Sequence, residues 1–170
     1  MRYEAEARLR HVGLWTPDDM PFWAREAWGD SPGPGATGTA VSNYLEDEML
    51  DHVLSKATFT SAATLYYALF TVSPSDAGGG TEVSGGGYVR QGHTNNATNF
   101  PAASAGSKSN GTAANFGTAS ANWGTVGHVA VIDASSGGNY YFWGSMAVSI
   151  PIQGGDSLTF PIGSLVFGLD

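Results

Sequence analysis

The feature that most constrains the fold is a series of short β-prone runs, separated by glycine-rich turns, from residue 61 onward. The first run, 64–72, is apolar on both faces, which is typical of a central strand covered on both sides. About eight such runs predict a β-sandwich of jelly-roll or Greek-key type. The segment 94–120, rich in small polar residues, is expected to be a surface loop with at most one short strand. The later strands are predicted near residues 87–92, 113–116, 125–133, 139–145, 148–152, 157–160 and 164–169.

One helix is predicted ahead of the strands, at about residues 43–55. Asn43 is followed three residues later by Glu46, a spacing that resembles a capping box. The apolar residues of this segment fall on one half of the helical wheel and the acidic residues on the other. We therefore expect an amphipathic helix that packs by one face. The apolar set is Leu45, Met49, Leu50, Val53 and Leu54.

Charge divides the chain into two unlike parts. The whole sequence carries 7 Lys and Arg against 15 Asp and Glu, a net charge of −8, and most of these residues precede residue 61. Residues 31–41 contain only Gly, Pro and small residues, so this segment is expected to be a linker. The sequence thus predicts an arm at 1–30, a linker at 31–41 and a domain of one helix and a β-sandwich at 42–170.

The arm is rich in aromatic residues. Trp15, Phe22, Trp23 and Trp28 lie within 14 residues, and 18–21 (Asp-Asp-Met-Pro) resembles the start of a short helix. Two interpretations remain open. The aromatic side chains fold back onto the domain, or they form a docking peptide that buries them on a neighbouring subunit.

Composition argues against several classes of partner. The negative charge and the lack of a basic cluster argue against nucleic acid and against an anionic membrane surface. Cysteine is absent, which removes disulfides, thiolate nucleophiles and cysteine-ligated zinc. No apolar run approaches the length of a membrane span.

Residues that could carry chemistry are sparse. The four histidines lack metal-ligand spacing, and His128 is expected to be a hydrogen-bonded core histidine within a strand. Asp133 and Asp156 lie at apparent turns, where aspartate commonly caps the backbone. The glycine-rich run 78–87 lacks the Lys-Ser/Thr ending of a phosphate-binding loop. We therefore predict no catalytic residue, no metal and no cofactor.

One run of aromatic residues could form a binding surface. In 140–143 (Tyr-Tyr-Phe-Trp), alternate side chains are expected to face opposite sides of a sheet. One pair would then fill the core, and an exposed ring could stack on a sugar. The candidates for glycan stacking are Tyr140, Tyr141 and Trp143.

Five blocks of sequence resemble small bacteriophage virion proteins known as phage tail fibre proteins, which are related to virion-surface proteins. The most specific blocks are 81–88 (Thr-Glu-Val-Ser-Gly-Gly-Gly-Tyr) and 123–126 (Trp-Gly-Thr-Val). The resemblance extends over residues 42–170 and implies a non-enzymatic structural subunit. The blocks that carry it are 42–52, 63–71, 76–91, 121–129 and 155–165.

The resemblance also implies the setting of the protein. We expect the protein on the virion, assembled in the host cytoplasm, with other virion proteins as its partners. The chain itself is expected to form a homo-oligomer, and a trimer is common in virion appendages. The first hypothesis is a tail fibre or tail appendage subunit docked by its arm. The extra arm is equally compatible with a capsid decoration protein. The partners would be tail subunits for a tail fibre protein and major capsid subunits for a decoration protein. A glycan-binding module is the alternative of a different class.

Overall fold

The computed structural model describes residues 36–55 and 57–169. The arm at 1–30, with Trp15, Phe22, Trp23 and Trp28, lies outside the described residues. In chain order the elements are β1 (Ala36–Val41), α1 (Asn43–Leu54), β2 (Thr64–Val72), β3 (Thr81–Glu82), β4 (Gln91–Thr94), β5 (Ser107–Ser109), β6 (Ala114–Thr118), β7 (Gly124–Ile132), β8 (Tyr140–Ile152), β9 (Ser157–Phe160) and β10 (Val166–Gly168).

The main sheet has six antiparallel strands. Its order is β1-β8-β7-β2, and the far edge of β2 pairs with β3 at one end and with β4 at the other. The β2–β7 register aligns Tyr66 with Ile132 and Phe70 with His128. The predicted central strand at 64–72 is confirmed with these bounds.

A second layer covers one face of this sheet. It consists of α1 and two ribbons of two strands each, β5–β10 and β6–β9. Tyr67 and Leu69 of β2 and Val131 of β7 pack there, in one cluster with Phe116 of β6 and Phe160 of β9. The predicted sandwich-type, mainly β fold with one helix is confirmed. The second layer is split into ribbons because Gly-, Asn- and Ser-rich turns interrupt its strands.

The opposite face of the sheet holds a smaller cluster. Ala68 and Phe70 of β2 and Ala130 and Ile132 of β7 are buried there. Because neighbouring residues of a strand point to opposite faces, β2 is apolar at consecutive positions and is covered on both sides.

Three details differ from the sequence-based expectations. Part of the expected linker, Ala36–Val41, is a strand that pairs with β8. The strands expected at 139–145 and 148–152 are one strand, whose register shifts where Gly127 of β7 lies opposite 146–149. The segment 94–120 contains two short strands, β5 and β6, beyond the end of β4. Composition alone predicts too little strand in these segments, because pairing with a neighbouring strand stabilises segments of weak β propensity.

The start of α1 is fixed by Ser42, one residue before the expected cap Asn43. The buried Ser42 hydroxyl donates to the carbonyl oxygen of Tyr140 and accepts a hydrogen bond of 3.3 Å from the Leu45 amide. The Ser42 amide also donates to the Tyr141 carbonyl, at 3.1 Å. The helix is therefore joined to β8 through its cap. No helix of the described residues is long and apolar enough to cross a membrane.

We predict that Ser42→Ala lowers the free energy of unfolding by about 1–2 kcal/mol, because it removes an N-cap and a buried hydrogen bond. Asn43→Ala is the matched control and should change it by less than about 0.5 kcal/mol, since Asn43 is exposed. Urea unfolding of both variants gives the comparison. Equal effects would contradict the assignment of Ser42 as the cap.

A second prediction concerns the Tyr67 hydroxyl, which is buried and has no hydrogen-bond partner among the described residues. Burial raises the pKa of Tyr67 well above the usual 10.0. Above pH 10 the unfolded chain therefore loses this proton while the folded chain keeps it, so stability falls as pH rises. Tyr67→Phe should make that fall shallower by up to about 1.4 kcal/mol per pH unit.

The Tyr67→Phe comparison is made by urea unfolding at pH 7 and at several values above pH 10. At pH 7 the variant should be at least as stable as the parent, because no hydrogen bond is lost. An unchanged alkaline slope, or a large loss of stability at pH 7, would contradict the account.

Candidate functional site

The two most specific sequence blocks pack against each other. Trp123 is buried, and its indole Nε1 donates to the Gly86 carbonyl at 2.9 Å. Gly86 has φ +55°, and an added Cβ would lie 2.9 Å from the Trp123 ring. The Tyr88 ring meets Trp123 edge-on, with centroids 5.6 Å apart. The glycine-rich run therefore permits the close approach of a backbone to an indole ring.

An ion pair ties the same block to a distant loop. Arg90 Nε and Nη2 each donate to one oxygen of Glu82, both at 2.8 Å, and the Arg90 side chain is only 6% exposed. Arg90 Nη1 donates to the carbonyls of Ala134 and Gly137, both at 2.7 Å. The bidentate hydrogen bonds to Glu82 raise the pKa of Arg90. The pair thus holds the 133–139 loop against β3.

The strict alternation expected for 140–143 is wrong. Because Val131 pairs with Phe142 and Ile132 with Tyr140, β8 has one extra residue, Tyr141, at this point. This bulge places Tyr141 and Phe142 with the main core and Tyr140 and Trp143 with the smaller cluster.

Tyr140 and Trp143 form the candidate binding surface, which we call the aromatic face, together with Asp76 and Gly79. Both rings are half-buried. The Tyr140 hydroxyl donates to the Gly79 carbonyl at 3.1 Å, and Trp143 Nε1 donates to Asp76 Oδ1 at 3.3 Å. Burial, reinforced by the charge of Glu82, raises the pKa of Tyr140 and keeps it a donor. The polar ends of both rings are thus used within the chain.

Tyr141 is placed differently from the other two glycan candidates. It is 4% exposed, and the rings of Tyr44 and Phe59 lie 6.0 and 5.9 Å from it. Its hydroxyl accepts a hydrogen bond of 3.3 Å from the Ala62 amide, and burial raises its pKa. The Tyr141 ring therefore has no open face on which a sugar could stack.

An apolar cleft of about 280 Å³ lies between α1 and the β5–β10 ribbon. Leu45 and Met49 of α1 line it, together with Phe142 of β8 and Phe167 of β10. Polar side chains are few along it, and Lys108 of β5 carries a positive charge. No sequence pattern indicates this cleft, since its lining comes from segments far apart in the chain.

The polar groups expected at turns have structural roles. Asp133 accepts from the Asn139 amide at 2.7 Å, and Asp156 accepts from the Gln153 amide at 2.8 Å, which confirms both predicted caps. His128 Nδ1 lies 3.2 Å from the Ser145 hydroxyl on the neighbouring strand, so this histidine is hydrogen-bonded as expected. The expected core position of His128 is wrong, because the residue is only half-buried. Within 36–55 and 57–169, no three His, Asp or Glu residues are grouped to hold a metal ion.

A match to a known protein family identifies the family of this chain. The model of the family described as podophage GP4 fiber I protein gp80 matches residues 40–168. The chain belongs to this family. The resemblance to phage tail fibre proteins is thus confirmed, and the protein is a virion-associated structural protein. No curated protein matches the chain.

The fibre-family match coincides with the part of the chain that has a continuous core. It includes α1 and every strand from β2 to β10. The Trp123–Gly86 contact and the Arg90–Glu82 pair, which hold loops together, lie inside it. Residues 1–39, with the arm, lie outside the match.

We predict that Arg90→Met destabilises the domain by about 3 kcal/mol, because it leaves the Glu82 carboxylate without its cationic partner, with only the Tyr88 hydroxyl donating to it, and frees the 133–139 loop. Adding Glu82→Gln to this variant should recover part of the loss, since the unpaired charge is then gone. Thermal unfolding of both variants, with Asp47→Ala as an exposed-charge control, measures the effect. If the double variant were less stable than Arg90→Met, the unpaired charge would not be the cause.

Proposed function

We propose that the chain is a subunit of a podophage tail fibre and is docked to the virion by its N-terminal arm, residues 1–30. The observation that carries this proposal is the division of the chain by the family match. The match begins at residue 40, and the aromatic-rich arm precedes it. A domain that matches the fibre family, preceded by an aromatic-rich segment outside the match, suits an attachment role for that segment.

The domain supplies the rigid body in this proposal, and we assign it no enzymatic activity. Its charged and indole side chains make ion pairs and hydrogen bonds within the domain: Arg90 with Glu82, Trp123 with Gly86, and Asp133 and Asp156 with backbone amides. Such contacts stabilise loops rather than leaving reactive groups free for a substrate.

The partners in this proposal are other virion proteins and further copies of the chain, with a trimer as the expected oligomer. The fibre description of the family supports a tail location over capsid decoration. A glycan-binding role is the weaker alternative, because Tyr141 is buried and the polar ends of Tyr140 and Trp143 are already bonded.

The arm generates a direct prediction. Removing residues 1–30 should leave a folded β domain but abolish incorporation into the particle, because each arm aromatic buried on a partner contributes about 2 kcal/mol or more. The measurement is quantitative mass spectrometry of purified virions, together with circular dichroism of the truncated protein.

A full-length variant with Ser in place of Trp15, Phe22, Trp23 and Trp28 is the matched test, because the chain length is kept. Replacing Tyr3 by Ser is the control, since it removes an aromatic outside this group. Normal occupancy of the particle by the fourfold variant would refute docking by the arm. Failure of the truncated chain to fold would instead assign the aromatics to the core of the domain.

A further inference from the structure

The apolar cleft continues outward along α1. Leu45, Met49 and Val53 are spaced four residues apart and therefore lie in one row on the helix surface. Leu45 is 5% exposed at the inner end of the row, and Val53 is 74% exposed at the outer end. Leu169, which also lines the cleft, is 54% exposed. This arrangement is an apolar surface that enters the domain from solvent.

The size of the cleft limits what it can hold. Its volume of about 280 Å³ lies just below the range of about 300–1,000 Å³ typical of sites for drug-sized ligands. Phe142 and Phe167, with ring centroids 5.4 Å apart, form one wall. A surface of this size and composition suits one or two aromatic side chains of a peptide.

The charge of the cleft lining places a second requirement on the occupant. Of the cations in the part of the chain that the structure describes, Arg90 is paired with Glu82, and Lys108 makes no ion pair. Lys108 lies at the cleft. An occupant with a carboxylate near its aromatic residues would therefore complement the site.

The arm contains a segment of this chemistry. Asp18 precedes Phe22 by four residues, and Asp19 precedes Trp23 by four. In the short helix predicted there, each acid and its aromatic partner share one face. Phe22 is 14 residues from Ala36, so the intervening chain can span up to about 46 Å, which is enough to reach a neighbouring copy.

We propose that Phe22 and Trp23 of one copy occupy the apolar cleft of a second copy, with Asp18 or Asp19 beside Lys108. This inference rests on the proposed docking role of the arm and names the neighbour on which it docks. Phe22 and Trp23 then link fibre subunits to one another, and the linked subunits are what the virion incorporates. Each copy offers one arm and one cleft, so the contact is head-to-tail, and it gives a ring such as the expected trimer where the rotation between copies closes.

The absence of cysteine makes the test direct. Two differently tagged full-length chains are co-expressed, one with Ala24→Cys beside Trp23 and the other with Ser107→Cys in the cleft lining. A short bismaleimide then joins cysteines that lie close together. Because each chain has one cysteine, any product with both tags is intermolecular. The control replaces Ser107→Cys by Ser136→Cys, an exposed position outside the cleft lining.

The proposal expects at least tenfold more two-tag product with Ser107→Cys than with Ser136→Cys. Adding Phe22→Ser and Trp23→Ser to the arm chain should abolish the excess, and Lys108→Glu in the cleft chain should reduce it. Equal yields at the two positions, or an excess that survives loss of both aromatics, would overturn the proposal.

Incorporation into virions, measured for the same arm variant, distinguishes failure of the cleft assignment from failure of the docking role of the arm. If Phe22→Ser/Trp23→Ser prevents incorporation but the cross-link to Ser107→Cys is absent, the arm docks elsewhere and only the cleft assignment fails. If the variant is incorporated normally, the docking role of these two aromatics fails as well.

Discussion

The structure depends on the burial of strand β2 on both faces. Tyr67 and Leu69 pack against the second layer, while Ala68 and Phe70 pack on the opposite side with β7. A strand covered on both sides fixes its register, because a shift by one residue would exchange the two clusters. With β2 fixed, β7 pairs with one of its edges and β8 pairs with β7, while β3 and β4 share the other edge of β2.

The less regular parts of the domain are held by a few specific contacts to this sheet. Trp123 bonds to Gly86, Arg90 joins Glu82 to the 133–139 loop, and Ser42 joins α1 to β8. These contacts explain the glycine, the tryptophan and the ion pair within residues 76–91 and 121–129 of this chain. They set the shape of a body that other virion components can contact, with the apolar cleft left open on one side.

Much of this fold follows from the sequence, for reasons that are local. Thr64–Val72 is identified by its continuous apolar pattern, and α1 by its period. The expected packing face of α1 is only partly correct, because Leu45 is buried but Leu50, Val53 and Leu54 are exposed. The errors arise where long-range pairing decides. Ala36–Val41 has the composition of a linker but pairs with β8, and the bulge at Tyr141 breaks an alternation that the sequence alone implies. The apolar cleft could not be predicted, because it exists only once α1, β8 and β10 are assembled.

The tail location proposed for this fibre-family chain can be tested in the intact virion. A reconstruction of the whole virion, into which the domain at 36–169 is fitted, tests it most directly. A tail fibre subunit should be found in a few to a few tens of copies, all at the tail vertex, with density from each domain continuing toward a neighbouring subunit. Hundreds of copies distributed over the capsid shell would contradict it and would identify a decoration protein instead.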